Sequence, residues 1–227
     1  MVRALLIDLD DTLYDERTYV LSGFRAVAAE VARRFVHVDS DGLFRGMVAE
    51  LDAHGRGKVF DRALEGAGVA ADRPLVEALL ETYRDHRPDI ALWPGVAEAL
   101  DALARDHRLA VVTDGLGRMQ RRKVEALDLE RRVHEVLFCW EHEAPKPETA
   151  CYIEALRRLG ATPEDAVVIG DNPEHDMAAA KAIGARSIRV MTGRFARRGD
   201  AGFAPDATAA RFPDVPGILR TQFGAAA

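Results

Sequence analysis

Four short apolar runs each lead into residues with chemical potential. RALLIDL at 3–9 contains Asp8 and is followed by Asp10, Asp11 and Thr12. RLAVVT at 108–113 ends in Thr113, with Asp114 and Gly115 next. Beyond VLFCW at 136–140 lies Lys146-Pro147, and AVVIG at 166–170 leads into Asp171, with Asp176 close behind. Carboxylates are hard oxygen ligands suited to Mg²⁺. A hydroxyl, an ammonium and backbone amides hold the oxygens of an anion such as phosphate. If the runs are neighbouring strands, these residues converge on one rim as a magnesium and phosphate site. Lys146 carries extra weight because only four of the 31 basic residues are lysine, namely Lys58, Lys123, Lys146 and Lys181.

The elements that must position these residues follow from periodicity. RALLIDL reads as a buried strand. From about Glu16 to His86 the rhythm is helical: Val20, Phe24, Val27, Val31 and Phe35 mark one face of a long amphipathic helix. Further helices are expected near 39–54, 58–67 and 74–86, separated by glycines and Pro74. After Trp93-Pro94-Gly95 strands and helices alternate. Helices are expected at 95–106, 117–127, 148–159 and 175–183, and strands at 108–113, 136–140, 166–170 and 186–190. A short strand around 207–211 and a helix after Pro213 close the chain. Such alternation indicates βαβ units and a doubly wound parallel sheet. The fold expected is therefore α/β, with residues 1–15 and 91–227 forming the core domain. Residues 16–90 form an all-helical domain inserted after the first strand, too long for an ordinary loop. In an open parallel sheet, ligands bind outside the carboxyl ends of the strands, where the polar residues collect.

The DLDDT stretch at 8–12 resembles the DxDxT nucleophile motif of haloacid dehalogenase (HAD) superfamily phosphatases. Thr113, Lys146 and GDNPEHD at 170–176 resemble that superfamily's second, third and fourth motifs, in order. The helical insert falls where its helical cap falls, and the ending from Pro205-Asp206 onward is also similar. The resemblance implies Mg²⁺-dependent hydrolysis of a small-molecule phosphate monoester. Asp8 would be the nucleophile, passing through an aspartyl phosphate, and Asp10 the general acid and then base. Asp8 and Asp171 would hold Mg²⁺ by their side chains and Asp10 by its backbone carbonyl. Thr113, Lys146 and the amides of Asp114 and Gly115 would bind phosphate, with Thr12 and Asp176 in support. The candidate catalytic residues are thus Asp8, Asp10 and Lys146. In this family the cap sets substrate selectivity. Two departures stand out: many relatives carry asparagine at the place of Asp114, and often glycine at the place of Glu143.

Other readings remain open. Asp10, Asp11, Asp171 and Asp176 taken singly could be helix caps or solvated loop acids, and Thr113 alone could be a turn hydroxyl. A phosphomutase or a haloacid dehalogenase would share the fold, although true dehalogenases lack an acid at the place of Asp10. A phospho-accepting signalling module or a silent binding protein is the alternative outside enzymes. His134, His142 and His175 lack metal-ligand spacing. Arg194, Arg197 and Arg198 read as a solvated loop, or as a basic lip near the site. Tyr14 and Arg17 could meet substrate at the cap hinge. Cys139 reads as a small buried hydrophobe, and it and Cys151 are too few for a disulfide framework. The formal charge of −6 gives no reason to expect nucleic-acid or membrane partners. With no signal-like or spanning apolar stretch, a cytoplasmic monomer or homodimer acting on a small phosphorylated molecule is expected.

Overall fold

The computed structural model describes residues 2–143 and 145–224. They divide into two compact units, residues 1–16 with 91–227, and residues 17–90.

The first unit is built on a six-stranded parallel sheet. In chain order the strands are β1 (Ala4–Ile7), β2 (Arg108–Thr113), β3 (Glu135–Phe138), β4 (Ala166–Gly170), β5 (Arg186–Val190) and β6 (Ala207–Ala209). Their order across the sheet is β3-β2-β1-β4-β5-β6. Between and after them run α5 (Val96–Asp106), α6 (Gly117–Ala126), α7 (Ala150–Leu159), α8 (Ala178–Ile183) and α9 (Val215–Gln222). Helices cover both faces, which is why the central strands are apolar without alternation. Leu6, Val112 and Val168 pack with Tyr152, Ala155 and Leu156 of α7 on one face. β1, where the connection order reverses, is buried at every position. Its Ile7 pairs with Val111 on one side and Ile169 on the other. That register brings Asp8, Thr113 and Asp171 out together at the carboxyl edge, the place where such sheets bind ligands.

The second unit is helical, formed by α1 (Glu16–Arg34), α2 (Ser40–His54), α3 (Val59–Gly66) and α4 (Arg73–Asp85). Val20, Phe24, Val27 and Val31 of α1 pack with Met47, Leu64 and Leu79 in a core of their own. Each such buried side chain contributes roughly 1.5–3 kcal/mol. Phe35 sits only at the margin of this core, because α1 ends at Arg34. Asp39 and Asp72 cap α2 and α4, accepting from the amides of Gly42 and Leu75 at 2.7 and 2.9 Å. Among the described residues no helix is long and apolar enough to cross a membrane.

Three elements differ from the sequence reading. The first strand is shorter than 3–9. The strand expected at 136–140 ends at Phe138, and Cys139–His142 forms a tight 3₁₀ turn. A short apolar run does not distinguish strand from buried turn. Cys139 stays in the core in contact with Cys151, whereas Trp140 is 54% exposed. The helix expected at 175–183 begins as a wide π-type turn over Pro173–Met177 before α8.

Candidate active site

The loop after β1 is tightly tied down. Asp11 has a φ of 59° and is buried. Its carboxylate accepts from the amides of Glu16 and Arg194 at 3.1 and 3.2 Å, and its carbonyl accepts from the Thr192 hydroxyl at 2.6 Å. Asp11 is thus a scaffold residue whose contacts fix the turn carrying Asp8 and Asp10. Thr12 donates its hydroxyl to Asp8 Oδ2 at 3.1 Å.

Lys146 reaches Asp8 from the β3–α7 connection. Its Nζ donates to Asp8 Oδ1 at 2.5 Å and to Asp176 Oδ1 at 2.8 Å. Tyr152 of α7 donates to the same Asp176 oxygen at 3.0 Å, and the Asn172 amide donates to its other oxygen at 3.3 Å. Carboxylate oxygens of Asp8, Asp171 and Asp176 lie within 4.8 Å of one another. Asp171 Oδ2 is buried with no hydrogen-bond partner among the described residues.

Three acids thus lie around one buried ammonium. Burial pushes the Asp8 carboxyl up to about 7 against the pull of Lys146. Burial, then the neighbouring Asp8 and Asp176, push Asp171 up to about 10. Burial would lower Lys146, yet Asp176 and Asp8 hold it well above the ordinary lysine value. The surplus of hard oxygen donors and the unpartnered Asp171 oxygen fit a divalent cation held by Asp8 and Asp171. Asp176 is committed to Lys146 and Tyr152.

Asp10 faces a different set of partners. Its side chain meets Lys123 and Gln120 of α6 and the hydroxyl of Tyr14. Only its backbone carbonyl is left for the ligand role the sequence suggested. Burial alone would raise this carboxyl, but the Lys123 ammonium and the bonds from Lys123, Tyr14 and Gln120 hold it below the usual range.

Thr113 is buried, 1% exposed, with its hydroxyl bonded to Gln120. Gly115 follows at a φ of 114°. Asp114 Oδ1 is buried with no hydrogen-bond partner among the described residues. Glu143 adopts a φ of 53°. That left-handed conformation favours glycine, the residue that the family resemblance leads one to expect at this place.

Several residues have partners that the sequence did not assign. Tyr14 bonds Asp10, whereas Arg17 forms a two-bond ion pair with Asp52 of α2, at 2.7 and 3.0 Å. Arg194 pairs with Glu16 and Arg198 with Glu174, so two of the three loop arginines are matched by acids. Arg189, with its side chain 2% exposed, donates to the Asp171 carbonyl at 3.3 Å and to Asp200 at 2.6 Å. An arginine inside the apolar run RSIRV is a signal that could have found it. Lys123 is signalled by the same scarcity of lysine that marks Lys146.

Comparison with known proteins supplies the family. The model of the haloacid dehalogenase-like hydrolases matches residues 5–190. The chain is 29% identical to a glyceraldehyde 3-phosphate phosphatase of Methanopyrus kandleri over 201 residues, covering 86% of each. It is 30% identical to a phosphoserine phosphatase of Thermus thermophilus, covering 85% of this chain and 90% of that one. Among solved structures it is similar to a 2-haloacid dehalogenase from Pseudomonas syringae pv. Tomato, with a TM-score of 0.67 and 28% identity, covering 97% of this chain and 99% of that one. Together with the parallel sheet, the helical insert and the acids gathered at the strand ends, these matches identify the chain as a member of the haloacid dehalogenase-like hydrolases.

Proposed function

We propose that the protein is a Mg²⁺-dependent phosphatase that hydrolyses a small phosphate monoester through an aspartyl phosphate on Asp8. One observation carries the reading: the Lys146 ammonium joins Asp8 to Asp176 beside the unpartnered oxygen of Asp171. This leaves Asp8 buried, positioned and short of one cation. The relatives named as phosphatases support it.

In the proposed reaction an Asp8 oxygen attacks phosphorus in line, forming an O–P bond as the bond to the leaving oxygen breaks. Asp10, once protonated, gives its proton to that oxygen. It then takes a proton from the water that attacks the aspartyl phosphate, releasing inorganic phosphate and restoring Asp8. Lys146, Thr113 and the amides of Asp114 and Gly115 hold the phosphate oxygens where charge develops. The side chains of Asp8 and Asp171 and the carbonyl of Asp10 would hold Mg²⁺, whose charge would offset the repulsion between carboxylate and phosphate.

A dehalogenase is the second reading, favoured by the Pseudomonas syringae structure. Asp10 weighs against it, since a departing halide needs no proton. The helical unit of residues 17–90 is the proposed selectivity-setting cap.

A screen of phosphorylated metabolites with Mg²⁺, reading released phosphate and including three-carbon sugar phosphates and phosphoserine, tests the proposal. Turnover is expected for at least one, with loss of activity in Asp8→Asn. Halide release from 2-haloacids without phosphate release from any phosphoester would contradict it.

A further inference from the structure

We propose that Lys123 and Gln120, neighbours on one face of α6, are positioning residues for Asp10, an inference that rests on the acid–base role proposed above. The Lys123 ammonium straddles the carboxylate, donating to Oδ1 at 2.8 Å and Oδ2 at 2.9 Å. Gln120 Nε2 donates to Oδ2 at 2.9 Å, and the Tyr14 hydroxyl donates to Oδ1. Each oxygen therefore has two donors, and rotating the carboxylate would break several bonds at once. The Lys123 side chain is 4% exposed and that of Asp10 18% exposed. A charge buried so deeply must be matched to persist. An ammonium also serves as a compact point charge between two oxygens, where a guanidinium would need a wider berth.

Gln120 adds a second consequence. A carboxylate only accepts, so the amide nitrogen of Gln120 must be the atom facing Asp10. The same nitrogen lies 2.5 Å from Thr113 Oγ1. Thr113 must then accept from Gln120, and its own hydroxyl proton has to point elsewhere, available to a phosphate oxygen. One turn of α6 thereby orients the group that moves protons and sets the donor direction of a group that holds phosphate.

The test is a double-mutant cycle on the full chain with Mg²⁺ and an aryl phosphate. Lys123→Met is expected to lower kcat about 10²-fold, the scale of a misplaced reacting group, while KM changes by less than about threefold because ground-state binding is retained. In an Asp10→Asn background the same substitution is expected to cause no further loss, since the group it acts through is gone. A purely structural Lys123 would lower kcat by the same factor in both backgrounds. That result, or wild-type kcat in Lys123→Met, overturns the proposal. Thermal melting monitors folding. Should Lys123→Met fail to fold, Lys123→Gln, which removes the ammonium and keeps a polar side chain, carries the same cycle, and equal losses with and without the Asp10 carboxylate overturn the proposal. Turnover that survives Asp8→Asn would instead remove the function on which it rests, and this inference with it.

Discussion

Asp171 is 3% exposed, one of its oxygens has no hydrogen-bond partner among the described residues, and the carboxylates of Asp8 and Asp176 lie beside it. Burial and these neighbours raise Asp171 to about 10, and burial raises Asp8 to about 7. Without a cation, the folded protein therefore keeps protons that the unfolded chain releases near the ordinary carboxylate value. Its stability falls as pH rises from there through about 7 for Asp8 and about 10 for Asp171. Melting of the metal-free protein between about pH 6 and about pH 8.5 is expected to show this loss. Asp171→Asn removes the buried carboxyl whose proton is linked to folding and should flatten the slope. It should also raise Tm at the higher pH by a few degrees, at ~2–4 °C per kcal/mol, while turnover is lost. A variant with the same slope as wild type would show that Asp171 does not govern it. The positions of Asp8 and Asp171 at strand ends, and of Lys146 in the connection after β3, were legible in the sequence, because each comes after an apolar run. The partnership of Asp10 with Lys123 was not: these residues are far apart in the chain, and only the packing of α6 brings them together.

The turn after β4 is held by close approach. A Cβ on Gly170 would overlap the Asp176 carboxylate, the acid that anchors Lys146 at 2.8 Å. Gly170→Ala is expected to displace Asp176 and so loosen Lys146, lowering kcat by about 10-fold or more. Gly160 ends α7 at a φ of 64° with nothing within 4 Å of an added Cβ. Gly160→Ala should therefore cost only the left-handed backbone strain, ~1–2 kcal/mol, and leave kcat unchanged. Steady-state kinetics and melting on both variants check this; equal kcat in the two would contradict the account of Gly170. Helices α1 to α4 and the later strand–helix alternation were readable from spacing and from the glycines and prolines between them. The failures share a cause. The wide turn at Pro173–Met177 and the 3₁₀ turn at Cys139–His142 bury apolar residues without regular periodicity. Buried burden alone therefore reads there as strand or helix.

At the scale of the whole molecule, the α/β unit has apolar packing around β1 and β4, and the helical unit has a core of its own among α1 to α4. The acids and the ammonium of the candidate site all belong to the α/β unit. The chemistry is thus assigned to one unit, and substrate choice is proposed for the other. The reaction class follows from a few strand-end residues of recognisable type, whereas selectivity depends on the shape and polarity of surfaces that an apolar helical pattern does not encode. The central claim is that Asp8 carries the phosphoryl group, and rapid quenching of the enzyme with Mg²⁺ and a substrate, followed by mass spectrometry of its peptides, tests it most directly. A transient phosphoryl group on the peptide containing Asp8, absent without Mg²⁺ and accumulating in Asp10→Asn, is the expected result. Steady release of phosphate with no phosphoryl group on that peptide at any time, and undiminished in Asp8→Asn, would contradict it.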